Sequence, residues 1–231
     1  MSRDIYSSLS GAMASWDSME VVANNLANAD TTGFKASKIA FATVGDPTHV
    51  LGEAYAEGQP PARDDRDGAV VSDAVPTHFA LRGAGYFTLQ QGDQQVLTRD
   101  GRFSVSSERQ LVDANGAPVL GEGGPIEIPD GETIRVGQDG TIYGSQSGEL
   151  DRLRVVTATD VTAIGSNRFT ANGPVAASDA SVVQGGLESS NVDPLAAMVE
   201  LVQASRYFEA YQKAIQASDE LDSRLNQMGG R

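Results

Sequence analysis

The stretch IYSSLSGAMASWDSMEVVANNLANADTTGFK, residues 5–35, decides the fold of this chain. Its apolar positions recur at alternating steps of four and three residues, at Ile5, Leu9, Ala12, Trp16, Met19, Ala23 and Leu26. This spacing is the a/d pattern of a helix that packs along a second helix. A helix that lies on a globular core usually has a wider apolar stripe. The sequence therefore favours a helix–helix seam, with packing on a β-domain as the alternative.

The C-terminal end has the features of a second long helix. Asp193 precedes Pro194, and these residues suit the N-cap and first position of a helix. No Gly or further Pro interrupts the chain until Gly229-Gly230. The apolar or small positions of this helix are Leu201, Ala204, Phe208, Tyr211, Ile215, Ser218, Leu221 and Leu225. We expect the two terminal helices to pair.

The middle of the chain has the pattern of antiparallel sheet. Asp100-Gly101, Asn115-Gly116 and Asp139-Gly140 each separate two short runs rich in β-branched or aromatic residues. Such dipeptides are typical of β-hairpin turns. The predicted fold class is therefore α+β, with the terminal helices paired as a coiled-coil-like layer and a central all-β domain. We assign residues 1–41 and 185–231 to the helical domain, 42–74 to an extended connector or arm, and 75–184 to the β-domain.

Composition narrows the function. The 231 residues carry a net charge of −14 and contain no cysteine. A polyanion without a basic patch is a poor ligand for nucleic acid, and the lack of cysteine excludes disulfides and thiolate metal sites. No run of 18 apolar residues predicts a membrane span, and no secretory signal is recognisable at the N-terminus.

Candidate chemical groups are few. The two histidines, His49 and His78, lie far apart without nearby ligands, so we expect no metal site. The acidic run 64–68 resembles the start of a calcium loop, but the twelfth position is Val75 where a Glu is needed. A solvated acidic turn is the better interpretation. We expect no catalytic residue, no cofactor and no small-molecule substrate.

Motifs at both ends and in the middle resemble those of the flagellar axial proteins, the rod and hook group. NNLAN and TTGFK stand near the first helix, and LESSNV precedes the second. The matching segments are 10–13, 24–28, 31–35, 79–87, 97–103, 110–120 and 187–192. Within the group, the short length and residues 119–129 are most similar to proximal-rod proteins. Distal-rod or hook-type proteins are the near alternative.

The resemblance implies a structural subunit that polymerises into a tubular drive shaft and transmits torque. It implies partners among other rod proteins and copies of the same chain, and a periplasmic position in the basal body. It also implies passage through the flagellar type III export apparatus without a cleaved signal. Two alternatives of another class are a module that binds or hydrolyses peptidoglycan and an export chaperone. The hairpin signals disfavour the chaperone, and the peptidoglycan module has no evident acid/base pair.

The predicted assembly interface follows the two stripes. It consists of Ile5, Leu9, Trp16, Met19, Leu26, Leu201, Phe208, Tyr211, Ile215 and Leu225. The family motif residues Asn24, Asn25, Asn28, Gly33 and Phe34 form a second candidate set. The amides either terminate the first helix or bond a neighbouring subunit, since unpaired backbone groups collect at a helix end.

Overall fold

The structure, a computed structural model, describes residues 2–44 and 55–229, with side chains for residues 8–42, 59–221 and 224. It contains two compact units. The helical unit comprises residues 1–29, 36–64 and 192–231, and the β-unit comprises residues 30–35 and 65–191. The predicted α+β class, with paired terminal helices and a central region of β-strands, is confirmed.

Two long helices dominate the helical unit. They are α1 (Ser2–Ala27) and α2 (Pro194–Gly229), and they pack against each other. Asp193 caps α2, because its carboxylate accepts hydrogen bonds from the N–H groups of Leu195 and Ala196 at 3.0 and 3.2 Å. The predicted start of α2 at Pro194 and its predicted end at Gly229-Gly230 are confirmed.

Two small antiparallel sheets complete the helical unit. One pairs β1 (Ser37–Lys38) with β4 (Ala62–Arg63), and the other pairs β2 (Phe41–Val44) with β3 (Tyr55–Gly58). Strand β3 also packs against α1. The segment 42–74, expected as a connector or arm, therefore contains strands in its described part. Its residues up to Asp64 group with the helices.

The β-unit is built from short antiparallel strands. The strands are β5 (Val70–Ser72), β6 (Phe79–Arg82), β7 (Tyr86–Gln91), β8 (Gln94–Thr98), β9 (Ser104–Val105), β10 (Leu111–Val112), β11 (Ile134–Val136), β12 (Thr141–Gly144), β13 (Gly148–Arg152), β14 (Val155–Ala158), β15 (Val161–Gly165), β16 (Arg168–Ala171), β17 (Val175–Ala177), β18 (Ser181–Gln184) and β19 (Gly186–Glu188). The largest sheet has the order β15-β16-β8-β7-β14-β17, and a second sheet has the order β11-β12-β13. Three further pairs are β10-β9, β18-β6 and β19-β5.

The core of the β-unit is aromatic and aliphatic. Phe103 lies 5.2 Å from Phe87 and 5.9 Å from Phe79, measured between ring centroids, and all three side chains are fully buried. Such tilted and edge-on contacts add to the stabilisation that burial provides. Ile126 and Ile142 pack in the same cluster. This core holds the β-unit together without disulfides.

The hairpin predictions had mixed outcomes. The turn at Asp139-Gly140 joins the paired strands β11 and β12, and the turn at Asn115-Gly116 lies inside the bridge between Val112 and Pro118. The prediction at Asp100-Gly101 is wrong, because β8 and β9 belong to different sheets. The N–H of Phe79 instead donates to the carbonyl of Gly101 at 3.0 Å, so this turn docks on a neighbouring strand.

Candidate assembly interface

The seam between α1 and α2 is close-packed and uses small residues. Ala12 and Val22 of α1 are buried, as are Ala197 and Ala204 of α2. A Cβ atom at Gly11 would lie 2.5 Å from the ring of Tyr211, so this ring packs directly on the α1 backbone and would have to shift for any larger residue.

Aromatic residues border the seam. The ring of Trp16 lies 5.7 Å from that of Phe208, with an interplanar angle of 53°. Yet the Trp16 side chain remains half exposed, as does that of Leu9. Of the predicted α1 positions Ala12 is buried, whereas Leu9 and Trp16 are exposed; Gly11 and Val22, which are not predicted positions, are buried as well.

The predicted interface residues occupy three kinds of position. Met19, Leu26, Leu201, Phe208 and Ile215 are partly buried, and Leu9, Trp16 and Tyr211 are exposed. Ile5 and Leu225 lie in the two helices, but their side chains fall outside the described residues. Among these positions the structure brings Trp16 and Phe208 into ring contact across the two helices.

A second apolar stripe, not predicted from the sequence, runs along the first turns of α2. Leu195, Val199 and Val202 follow the i, i+4, i+7 spacing of one helix face and are 75, 57 and 52% exposed. Met198 beside them is half exposed as well. On α1, Leu9, Met13 and Trp16 repeat the same spacing and are also exposed. We call these six stripe residues, with Met198, the open apolar face.

The amide of Asn25 is used within the subunit. Its Nδ2 donates to the carbonyl of Ser37 at 2.7 Å, and its Oδ1 accepts from the N–H of the same residue at 2.8 Å. The side chain thus imitates one rung of a β-ladder and fixes the start of β1 near the end of α1. Asn28 donates to the carbonyl of Asn24 at 2.9 Å, which closes the last turn of α1. The side chain of Asn24 is exposed.

Gly33 and Phe34 bind the two motif segments to each other. The N–H of Gly33 donates to the carbonyl of Glu188 at 2.7 Å, and the carbonyl of Phe34 accepts from the N–H of Asn191 at 3.3 Å. Gly33 has a φ of +67°, as expected, and a Cβ atom there would lie 2.5 Å from the Arg99 carbonyl oxygen. Residues 30–35 and 186–191 therefore belong to the β-unit, although the sequence analysis grouped them with the helices.

The charged side chains of the described residues do not form a metal site. Among the described residues no three His, Cys, Asp or Glu side chains cluster as metal ligands would. His78 bonds the carboxylate of Asp73 through Nδ1, and this bond lowers the pKa of Asp73. His49 lies outside the described residues. No helix in the described part of the chain is long and apolar enough to cross a membrane.

The acidic turn at residues 64–68 differs from its prediction. Asp64 is nearly buried and pairs with Lys38 at 2.8 Å, while Asp67 accepts from Arg99 at 3.0 Å. These carboxylates are neutralised by cations of the same chain, not by solvent alone. No local sequence pattern indicates these pairs, because Lys38 lies 26 residues from Asp64 and Arg99 lies 32 residues from Asp67.

Comparison with known proteins gives consistent matches along the chain. The family model for flagella basal body rod proteins matches residues 5–35, the model for the D1 domain of flagellar hook protein FlgE/F/G matches 80–144, and the model for the C-terminal region of flagellar basal body rod FlgEFG proteins matches 183–228. The flagellar basal-body rod protein FlgF of Salmonella typhimurium is 33% identical over 99% of this chain and 98% of its own length. The chain belongs to the flagellar basal-body rod protein family. FlgF of Escherichia coli is 32% identical, and FlgG of Bacillus subtilis is 28% identical over 96% of this chain.

Family membership makes this rod protein a structural component of the flagellar basal body and not an enzyme. The peptidoglycan-hydrolase alternative is thereby removed. The matched N- and C-terminal regions fall largely on α1 and α2. The open apolar face lies on the same helices.

Proposed function

We propose that this rod protein is a subunit of the proximal rod, which polymerises with copies of itself and with other rod proteins through the open apolar face. The observation that carries the proposal is the exposure of Leu195, Val199 and Val202 on one side of α2, together with Leu9, Met13 and Trp16 on α1. Apolar stripes of this kind, exposed on two paired helices, are characteristic of interaction sites.

The occupant of the face is a neighbouring rod subunit. The chain carries a net charge of −14, so identical subunits repel each other through their surfaces at large. An uncharged apolar stripe is the part of such a surface where copies can approach and exclude water. In the assembled shaft, contacts of this kind resist bending and transmit torque.

The proximal position is supported by the pattern of similarity. FlgF proteins of Salmonella typhimurium and Escherichia coli are 33 and 32% identical to this chain, whereas FlgG proteins of Bacillus subtilis and Borreliella burgdorferi are 28 and 29% identical. The distal rod is the alternative. Deletion of the gene followed by electron microscopy of basal bodies distinguishes them, since a proximal subunit is needed before any distal rod forms.

Export by the flagellar type III apparatus into the periplasm is part of the proposal and is supported by family membership. Its test is fractionation of a strain that lacks the export ATPase and the export gate. The protein remains in the cytoplasm of that strain if the proposal holds. Periplasmic protein in the same strain would point to a different route.

The interface is tested with Val199→Asp and Val202→Asp. Each variant places a carboxylate on the open apolar face, where burial against a neighbour leaves the charge unpaired. Ala214→Asp, at an exposed position on the same helix about three turns beyond the stripe, is the matched control. We expect the two Val variants to fold as monomers but to lose motility and rods in isolated basal bodies, while the control retains both. Normal rods from both Val variants would contradict the proposed interface.

A further inference from the structure

Four peptide links connect the two units. The chain passes from the helical unit to the β-unit between residues 29 and 30, returns between 35 and 36, crosses again between 64 and 65, and leaves finally between 191 and 192. Any force that travels along the backbone from one unit to the other passes through these links. The β-unit residues next to the links are therefore the points where such a force enters it.

Three segments that flank these links, residues 30–35, 65–69 and 188–191, are joined by a largely buried charged cluster within the β-unit, formed by Lys35, Asp67 and Glu188 together with Arg99, which follows β8. Lys35 Nζ lies 2.6 Å from Glu188 Oε1 and donates to the carbonyl of Arg66 at 2.7 Å. The side chains of Lys35, Arg99 and Glu188 are only 2, 3 and 1% exposed. Buried charges of this kind are rare unless they are paired.

The cluster is electrically balanced and bonded to the backbone. Arg99 lies 3.0 Å from Asp67 Oδ1 and 3.6 Å from Glu188 Oε2, so two cations face two carboxylates. Glu188 Oε1 also accepts from the N–H of Gly68 at 2.9 Å, and Asp67 Oδ2 accepts from the N–H of Gly83 at 3.0 Å. Each charged side chain thus holds a segment other than its own.

The bonds join all the segments that lead to the links. Residues 30–35, which lie between the first two links, bind residues 188–191 beside the fourth through Gly33 and Phe34 as well as Lys35. Residues 66–69, just after the third link, bind Lys35, Glu188 and Ser189. These bonds act in parallel, and a pull on one segment loads the others.

We propose that the Lys35–Asp67–Arg99–Glu188 cluster is a mechanical anchor that distributes force from the four chain links into the β-unit. The inference rests on the proposed function only for the origin of that force, which is torque in the rod. A buried ion pair adds little net stability over apolar packing, but removal of one partner is strongly unfavourable. Loss of one charged partner therefore weakens the contacts that hold these segments together.

The test applies force to the isolated protein. The chain has no cysteine, so pairs of introduced cysteines give unique attachment points for optical tweezers. Handles at Ala27→Cys and Leu195→Cys pull across the links, and handles at Asp93→Cys and Ser147→Cys pull on two exposed turns inside the β-unit. The lifetime of the folded state at constant force is compared between the two pulling geometries.

Glu188→Gln removes the central charge, and Asp67→Asn is a milder variant at a half-exposed carboxylate that is expected to fold. With the handles that pull across the links, we expect Glu188→Gln to shorten the lifetime of the folded state by at least about tenfold, and Asp67→Asn to shorten it less. In the internal geometry the change stays within about twofold, because local opening at the cluster lies off that line of force. Asp113→Asn, which breaks the largely buried pair with Arg168 elsewhere in the β-unit, serves as the control. We expect it to leave the lifetime unchanged when force is applied across the links.

Two results would overturn the anchor. One is an unchanged lifetime of both cluster variants when force is applied across the links. The other is an equal shortening of the lifetime in both pulling geometries, which would make the cluster a general stabiliser of the β-unit. Neither result depends on rod assembly, so the anchor and the open apolar face succeed or fail separately.

Discussion

Asn25 connects the end of α1 to the first strand of the helical unit through both groups of its amide. Its two hydrogen bonds to Ser37 satisfy one backbone donor and one backbone acceptor. No other side chain of similar size carries a donor and an acceptor in that geometry. The motif residue therefore has a structural role inside the subunit, which favours the intrasubunit interpretation of the amide over a bond to a neighbour.

We expect Asn25→Ala to destabilise the helical unit by about 1–3 kcal/mol, because it leaves the N–H and carbonyl of Ser37 without these partners. The measurement is urea denaturation followed by the fluorescence of Trp16, the only tryptophan of the chain. Asn24→Ala is the control, since that side chain is exposed, and its effect stays within about 0.5 kcal/mol. Equal effects of the two changes would contradict the role of Asn25.

Gly33 and Gly92 separate backbone strain from crowding. Both have positive φ, at +67° and +60°, but only Gly33 has an atom within 4 Å of the added Cβ position. Gly92→Ala should cost about 1–2 kcal/mol from the left-handed backbone alone. Gly33→Ala should destabilise the β-unit more, because the carbonyl of Arg99 must also move. Thermal unfolding by circular dichroism measures both, and a smaller loss at Gly33 would contradict this account.

At the scale of elements, helix pairing and strand type could be read from local pattern. The pairing of the two terminal helices and the cap at Asp193 were predicted from residues close in sequence, and both predictions agree with the structure. Leu9, Trp16 and Ala23 of the predicted α1 stripe are nevertheless exposed. Turn chemistry was less reliable. The turn between β7 and β8 uses Gly92-Asp93, and that between β15 and β16 uses Ser166 and Asn167 at positive φ, neither of which was identified.

The features that the sequence could not predict depend on distant partners. Lys35 and Glu188 are separated by 153 residues, and nothing local indicates that both are buried. The seam pattern predicted for α2 begins at Leu201 and does not include Leu195, Val199 or Val202, which are exposed. The burial of Gly11 could not be predicted locally either, because the ring that packs on it, Tyr211, belongs to the other helix.

The seam itself gives a prediction at this scale. Ile215→Asp places a carboxylate at a partly buried seam position, so we expect loss of helix pairing while the β-unit remains folded. Far-ultraviolet circular dichroism should show reduced helix content, and the resistant β-fragment after proteolysis should be unchanged. Gln216→Asp, one residue further and exposed, is the control. Unchanged helix content in Ile215→Asp would contradict the seam assignment.

At the scale of the whole molecule, the two units differ in what holds them. The β-unit has a buried core around Phe79, Phe87 and Phe103, whereas the helical unit relies on a narrow seam and leaves its open apolar face without cover. Helices packed over a small area are marginal in water. We therefore expect the helical unit to be fully ordered only when neighbouring subunits cover this face.

Limited proteolysis should reflect this difference. In the monomer we expect cleavage first in residues 1–29 and 192–231, and a resistant fragment that begins near Asp30 and ends near Asn191. In isolated basal bodies the same helices should resist the protease. A monomer that keeps both helices intact under these conditions would contradict the coupling of helix order to assembly.

The most direct test of the central claim is a cryo-electron microscopy map of the isolated basal body in which this subunit is placed. We expect the chain to lie in the proximal rod, with Leu195, Val199 and Val202 buried against neighbouring subunits. We expect Leu9, Met13 and Trp16 to be buried against neighbouring subunits as well. A rod in which these side chains face solvent, while other surfaces form the subunit contacts, would contradict it.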